Sequence, residues 1–436
     1  MRRQGPFQII GKDAQNSLPS IFDGVPIHFK PAVMKIVSDF SFALIRIGAT
    51  DQSARKACEQ DDKNHRGWTH GTKLWRGNLR FVKRMEKLQH RISDSLKNGI
   101  SQKAWDLTVQ ARSVAIVAHQ SPDGDAVGSC LALHHFLNAK GIDNQVVLPD
   151  RFARFLAWMP GANDVIFFDE DPERADAILN DVELIWCLDF NSPQRAGKLS
   201  SRLSSGKAKI ITLDHHQQPD AYSDLLISDI ACGSTCELVF DLILAWDGLE
   251  SLDVDCGTCI YTGIMTDTGS FRFNSVTSHT HLILSHLLDL GVNHSAIHEH
   301  TFDAQSETRM KLCGYAISAK LVVSSNGPFA WISLTQEELV RFNYESGDTE
   351  GLVNQALAIE GVEVAIFLKE SEEGVIKVSL RSVGDWNVRD IADAYFSGGG
   401  HRNASGGIVK GRKMEEVLEW MQSLMPQWEK YRSGKS

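Results

Sequence analysis

The chain has 436 residues, 42% of them hydrophobic and 23% charged, which is ordinary for soluble globular protein and long enough for two or three domains with real cores. No apolar run reaches the roughly 18 residues that a membrane-spanning helix needs; the nearest, over 40–49, is short and carries Arg46. A net charge of −10 excludes a protein built around long duplex nucleic acid, which requires an extended basic footprint, but leaves room for a short anionic substrate held in a local pocket.

That charge is uneven. Residues 1–84 hold 15 Lys/Arg against 7 Asp/Glu, a surplus of +8, so the remaining 352 residues carry −18. This basic stretch contains Trp68 and Trp75 and shows no sustained period. Two readings of it stand. Either translation starts at Met85, where a clean helical pattern begins, or the stretch is a poorly ordered extension that binds something acidic. A peptide from 1–84 in the mass spectrum of the native protein would sink the first.

From about residue 100 to 300, apolar strands alternate with helical patterns. Strands are expected over 113–118, 144–148, 164–168, 183–188, 208–213 and 225–228. Helices are expected over 126–140, 234–246, 255–266 and 279–290. The alternation predicts an α/β domain with a mainly parallel sheet flanked by helices. Ser234-Thr-Cys-Glu237 has the form of a capping box and fixes one helix start. A helix over 306–319 and the turn Ser324-Ser-Asn-Gly-Pro328 read as a connector. A second, smaller α/β unit then follows, with strands over 329–333, 362–368 and 374–381. Its helices are expected over 335–341, 351–357, 387–396 and 413–424, with a glycine loop near 398. The expected domains are therefore 85–303 and 329–436, joined by 304–328.

The eight cysteines are scattered and read as reduced thiols, which with no clean signal peptide fits a cytoplasmic protein. The spacing of Cys232, Cys236, Cys256 and Cys259 suggests a zinc ribbon, but two of the four fall inside apolar helical runs, so buried thiols are the better reading. The histidines at 279, 281, 286, 294, 298 and 300 are expected on exposed helical faces and not as a metal site.

Chemistry concentrates at the strand ends. The run Val114-Ala-Ile-Val-Ala-His119-Gln-Ser-Pro-Asp123-Gly-Asp125 places an imidazole and two carboxylates where a strand gives way to a helix. Asp189 closes the apolar run 184–188, and Asp214, His215 and His216 close 209–213. Asp267 ends a helix just before a glycine. In a parallel sheet these carboxyl ends converge on one edge, where open α/β folds bind ligands. Six or seven Asp and His groups on one edge suit two divalent ions sharing a carboxylate. Three consecutive glycines at Gly398, Gly399 and Gly400, followed by His401 and Arg402, would let backbone N–H groups approach a phosphate closely.

In this order, the four motifs resemble those of the DHH phosphoesterases. Gly398-Gly-Gly-His401-Arg402-Asn-Ala-Ser-Gly406-Gly407 resembles the glycine motif of the DHHA1 domain found in one branch of that family, and the likeness covers about 95–430. The resemblance implies one Mn²⁺ on His119, Asp123 and Asp189, and another on Asp125, Asp189, His215 and Asp267, with Mg²⁺ or Co²⁺ as substitutes. Asp214 would orient a histidine, and His216 would face the scissile phosphate. Arg381, with Gly398, Gly399, Gly400, His401 and Arg402, would grip the end of the substrate. The implied activity is hydrolysis of short single-stranded RNA to 5′-mononucleotides by a two-metal-activated hydroxide, and of pAp to AMP. A linear or cyclic di-adenylate phosphodiesterase is the alternative within the class, and a nucleotide-binding regulator the alternative outside it. Neither long duplex nucleic acid nor a membrane is an expected partner, and a homodimer is compatible with the sequence.

Overall fold

The computed structural model of the chain describes residues 83–371 and 373–432. The readings of 1–84, of the apolar run over 40–49 and of Cys58 fall outside the described residues, apart from residues 83 and 84. Six strands form the first sheet: β1 (Val114–Val117), β2 (Asn144–Leu148), β3 (Ile166–Phe167), β4 (Leu184–Leu188), β5 (Lys209–Asp214) and β6 (Leu225–Ser228). All pairings are parallel, in the order β3-β2-β1-β4-β5-β6. The chain winds outward one way from β1 and the other way from β4, so the sheet reverses direction between these two central strands. A crevice opens at their carboxyl ends for that reason. β1 and β4 are buried at every position, which explains why both read as unbroken apolar runs.

The longer helices are α1 (Ile100–Gln110), α2 (Gly124–Ala139), α3 (Pro172–Asp181), α4 (Thr235–Asp247), α5 (Val254–Asp267), α6 (Ser278–Leu290), α7 (Glu307–Tyr315), α8 (Val388–Phe396) and α9 (Met414–Leu424). α2 departs from the amphipathic helix expected of it. It is buried almost all round, with the sheet on one side and α4 and α5 on the other. Glycines make that layering possible. A Cβ on Gly128 of α2 would stand 2.7 Å from the Cys259 carbonyl oxygen of α5.

The second sheet is mixed. β7 (Leu321–Val323), β8 (Phe329–Leu334), β9 (Val364–Glu370), β10 (Ile376–Ser382), β11 (Gly399–His401) and β12 (Ala404–Val409) lie in the order β11-β12-β10-β9-β8-β7. Only β8 and β9 run parallel. The expected glycine loop is instead the hairpin β11–β12, in which Gly399 pairs with Gly406 and His401 with Ala404. Glycine-rich sequence hid both strands because their few apolar side chains show no alternation. Trp386, Phe396 and Trp428 fill the core between this sheet and α8 and α9.

Two further expectations need correction. Ser234 caps α4 by accepting from the Glu237 amide at 3.2 Å, but the Glu237 carboxylate goes to the Cys232 thiol and the Gly233 amide, so only half a capping box forms. Of the histidines expected on exposed faces, His286 is buried against Phe240 and His279 bonds the buried Asp241 at 2.8 Å. α6 packs on α4, so one side of it faces inward. Cys236, Cys256 and Cys259 are buried free thiols, Cys232 is a half-buried one, and no metal-ligating group among the described residues includes a cysteine.

Candidate metal centre

β1 ends in the buried turn at His119, and the chain re-enters α2 through Asp123, whose carboxylate accepts the amides of Asp125 and Ala126 at 3.0 and 3.1 Å. The N-cap bond fixes one oxygen of Asp123, while the side chain stays half exposed toward the cleft. Asp125, in the first turn of α2, points across at the start of α4. Its two oxygens accept the Thr235 amide at 2.6 Å and the Cys236 amide at 2.9 Å. These are N–H groups that a helix start leaves without an internal partner, and they suit a carboxylate.

Asp189 follows β4 with a left-handed backbone (φ 65°), unusual for a residue with a Cβ and common at functional turns. It is buried and receives the Thr235 hydroxyl at 2.9 Å. One oxygen lies 3.4 Å from His119 Nε2 and the other 3.5 Å from His215 Nε2, so the carboxylate reaches both sides of the cluster. Asp214, fully buried at the end of β5, accepts the His216 amide at 3.1 Å and His216 Nδ1 at 2.8 Å. Asp267 closes α5, its oxygen 3.5 Å from His215 Nε2. Every residue expected at this edge is therefore there. Ligand atoms of His119, Asp123 and Asp189 fall within 4.8 Å of one another, as do those of Asp125, His215 and Asp267.

From the second sheet, His401 of the hairpin stacks on His216, ring centroids 4.4 Å apart, and lies 4.8 Å from His215. Arg381, near the end of β10, has Asp267, Glu350 and Asp123 as its charged neighbours. Arg402, expected beside His401, donates to the Asp385 carbonyl at 3.0 Å. The glycines divide by role. A Cβ on Gly398 would collide with the Gly406 carbonyl oxygen at 1.9 Å, so packing of the hairpin demands that glycine. A Cβ on Gly399 would meet nothing within 4 Å, so no protein contact requires the second.

The electrostatics are those of a cluster too rich in carboxylate. Burial and the Asp189 charge raise Asp125 well above the usual range. Burial pushes Asp267 up to about 7, even against the opposing His215 charge. Burial opposes ionisation of His215, but Asp267, Asp189 and Asp125 overcome it and lift the imidazole to about 9. Burial pushes His401 down to about 2, helped by the neighbouring His216 and His215. Mutual repulsion among buried acids, with imidazole nitrogens between them, is what hard or borderline divalent cations relieve, and the all-N/O donor set fits that class.

Sequence reading missed several contributors. Thr235 looked like a helix-start residue only. Arg389 reaches from α8 to the side chains of Gln217, at 3.1 Å, and Gln218, directly after the histidine pair. Glu350, a charged neighbour of Arg381, lies in a loop that no motif marked.

Comparison with known proteins agrees with this geometry. Residues 113–264 match the family described as "DHH family, N-terminal domain", and 330–427 match the DHHA1 domain. The bifunctional oligoribonuclease and PAP phosphatase NrnA of Thermus thermophilus is 30% identical over 307 residues, 70% of this chain and 87% of that protein. The crystal structure of an exopolyphosphatase-related protein from Bacteroides fragilis superposes with a TM-score of 0.71 at 39% identity, covering 75% of this chain and 96% of that one. The cyclic-di-AMP phosphodiesterase GdpP of Bacillus subtilis is 24% identical over 76% of this chain but only 50% of its own length.

Proposed function

This chain belongs to the DHH/DHHA1 phosphoesterase family, and we propose from that premise that it hydrolyses short single-stranded RNA to 5′-mononucleotides and pAp to AMP. The observation that carries the reading is the pair of Asp/His clusters joined by Asp189 and roofed by His401 of the second sheet. A hydrolase that cleaves phosphoester bonds by two-metal catalysis needs such a centre.

His119, Asp123 and Asp189 would hold one divalent ion, and Asp125, Asp189, His215 and Asp267 another. Mn²⁺ is the proposed ion, with Mg²⁺ or Co²⁺ as substitutes. Such ions supply Lewis acidity toward phosphoryl oxygens and make water a nucleophile near neutral pH. The chain supplies the rest. The His215 Nδ1 contact with the Cys232 carbonyl, 3.2 Å, leaves Nε2 facing the carboxylates. Asp214 holds His216 through Nδ1, so that Nε2 faces the scissile phosphate and, once protonated, donates to an oxygen gaining charge. Residues 85–303 are the proposed catalytic domain, 304–328 the connector and 329–436 the substrate-binding domain. In the last, Arg381 with Gly398, Gly399, Gly400, His401 and Arg402 grips the terminal nucleotide. A grip at fixed distance from the metals favours short substrates.

The test is turnover of 5′-labelled RNA dimers, pAp and cyclic di-AMP, each with Mn²⁺ and with excess chelator. Metal-dependent release of mononucleotide from the dimer is the expected result. Turnover of cyclic di-AMP alone would move the assignment to the di-adenylate phosphodiesterases. Binding without turnover of any of the three would favour a regulator.

A further inference from the structure

Most arginines near the two sheets have found partners. Arg112 pairs with Glu183, Arg151 with Glu170, Arg202 with Asp176 and Arg432 with Glu363. Arg195 differs. It is half-buried, and among the described residues neither an acid nor a hydrogen-bond acceptor engages its guanidinium. A cation withdrawn from water without a counter-charge costs stability, so an unpaired one at a site wall calls for an anion from outside the chain.

The fold brings Arg195 to the site. It lies in the turn Pro193–Leu199, which leaves β4 just after Asp189. The Arg195 carbonyl accepts the Gln120 amide at 2.7 Å, and the Arg195 amide donates to the Ser192 carbonyl at 3.0 Å. Gly197 adopts a left-handed backbone (φ 55°), and a Cβ there would stand 2.9 Å from Gln120 Oε1. The turn after Asp189 is thus pressed onto the turn after His119. From there the guanidinium counts His119, His216 and His401 among its titratable neighbours. Arg381 has a different set of neighbours, Asp267, Glu350 and Asp123. The two guanidiniums therefore have different neighbours in the cluster.

We infer that Arg195 is a phosphoryl-binding catalytic residue, whose guanidinium contacts the non-bridging oxygens of the scissile phosphate beside His216 while Arg381 holds the far end of the nucleotide. This rests on the phosphoesterase reading above. The planar fork of arginine matches two phosphoryl oxygens at once, and a lysine would supply only the charge.

The experiment compares the Mn²⁺-loaded wild type with Arg195→Gln and Arg195→Lys. It measures kcat and KM for an RNA dimer and pAp, calorimetric affinity for AMP, affinity for Mn²⁺, and Tm. Arg195→Gln is expected to lower kcat about 100-fold on both substrates. It should weaken AMP binding about 10-fold, with Mn²⁺ affinity and Tm unchanged, and Arg195→Lys should recover part of the loss. A kcat within twofold of wild type would overturn the inference. So would a kcat loss matched by an equal loss of Mn²⁺ affinity, which marks a structural turn. If the wild type turns over neither substrate, the phosphoesterase reading falls first; AMP affinity then decides alone, and equal binding by Arg195→Gln and wild type overturns the inference.

Discussion

Gly263→Ala probes how closely the site depends on helix packing. Gly263 lies in α5, and a Cβ there would stand 2.1 Å from Cys236 Sγ, 2.9 Å from Asp125 Oδ1 and 3.0 Å from Cys236 Cβ. Two effects on stability oppose each other. Alanine in a helix gains about 1 kcal/mol over glycine. Overpacking a tight core costs about 1–3 kcal/mol. The net loss is thus about 0–2 kcal/mol, which in a domain of this size moves Tm by a few degrees. The site loses more, because the atoms displaced are those that aim Asp125. The Cys236 amide donates to Asp125 Oδ1 at 2.9 Å, and moving either end weakens a bond to a charged acceptor worth about 1.5–3 kcal/mol. Disturbing a group that orients a ligand typically lowers metal affinity about 10- to 100-fold. Isothermal titration with Mn²⁺ should therefore show a 10- to 100-fold weaker site in a protein that melts only slightly earlier. Adding Cys236→Ala removes the nearest clashing atom and should restore most of the affinity. If Gly263→Ala bound Mn²⁺ like wild type and melted higher, the helices would have moved apart at no cost and the reasoning would fail.

Other expectations follow from single contacts. Asp214→Asn removes the negative charge beside His216 and one of the two oxygens that accept its amide and Nδ1, and should lower kcat about 10- to 100-fold; an unaltered kcat would show that His216 needs no such support. Thr235→Val deletes the hydroxyl bond to Asp189 and should weaken Mn²⁺ binding about 10-fold, with Thr235→Ser close to wild type, both read by calorimetry. In chelator, Asp267 is held up to about 7 by burial, so the folded chain binds an extra proton between about pH 4 and 7 and stability falls as pH rises through that window. Asp267→Asn should accordingly raise the Tm of the metal-free protein more at pH 8 than at pH 5.5, and the reverse order would contradict the sign. Arg389→Ala cuts the tie from α8 to Gln217 and Gln218, a partly exposed contact worth about 1 kcal/mol, and should raise KM a few-fold while leaving Mn²⁺ affinity unchanged in titrations.

The sequence marked the parts of this molecule that repeat a local rule. β1, β4 and β5 are short and largely apolar, and each ends at or just before the residue that matters, so both strand and ligand were visible together. What escaped it was set by contact across the fold. β11 and β12 pair through glycine, serine and alanine, which carry no period, so only the register against β10 makes them strands. α2 looked amphipathic because burial on its second face comes from α4 and α5, more than a hundred residues away in the chain. Thr235 and Arg195 lie outside any motif of charge and spacing. Thr235 matters because a helix start happens to face Asp125, and Arg195 because two turns are pressed together.

The placement of α4 also accounts for a feature the charge count alone would make improbable. Five carboxylates, Asp123, Asp125, Asp189, Asp214 and Asp267, converge in a largely buried space, and each pair repels. The fold answers with fixed donors in place of cations. Two helix-start amides serve Asp125, one hydroxyl serves Asp189, an amide and a ring nitrogen serve Asp214, and two amides at the start of α2 serve Asp123. Each such bond uses a lone pair and fixes a carboxylate plane before any ion arrives. Asp267, which no backbone or side-chain donor among the described residues supports in that way, is pushed up to about 7 by burial, and Asp125 is also raised. A site built this way is preorganised at four of its five acids, so ion binding costs little ordering there. Its pH dependence should then be carried by the two acids that burial raises, Asp125 and Asp267, whose protons must leave before the ions can be held. Metal affinity of wild type should therefore rise through about pH 7 more steeply than that of Asp267→Asn.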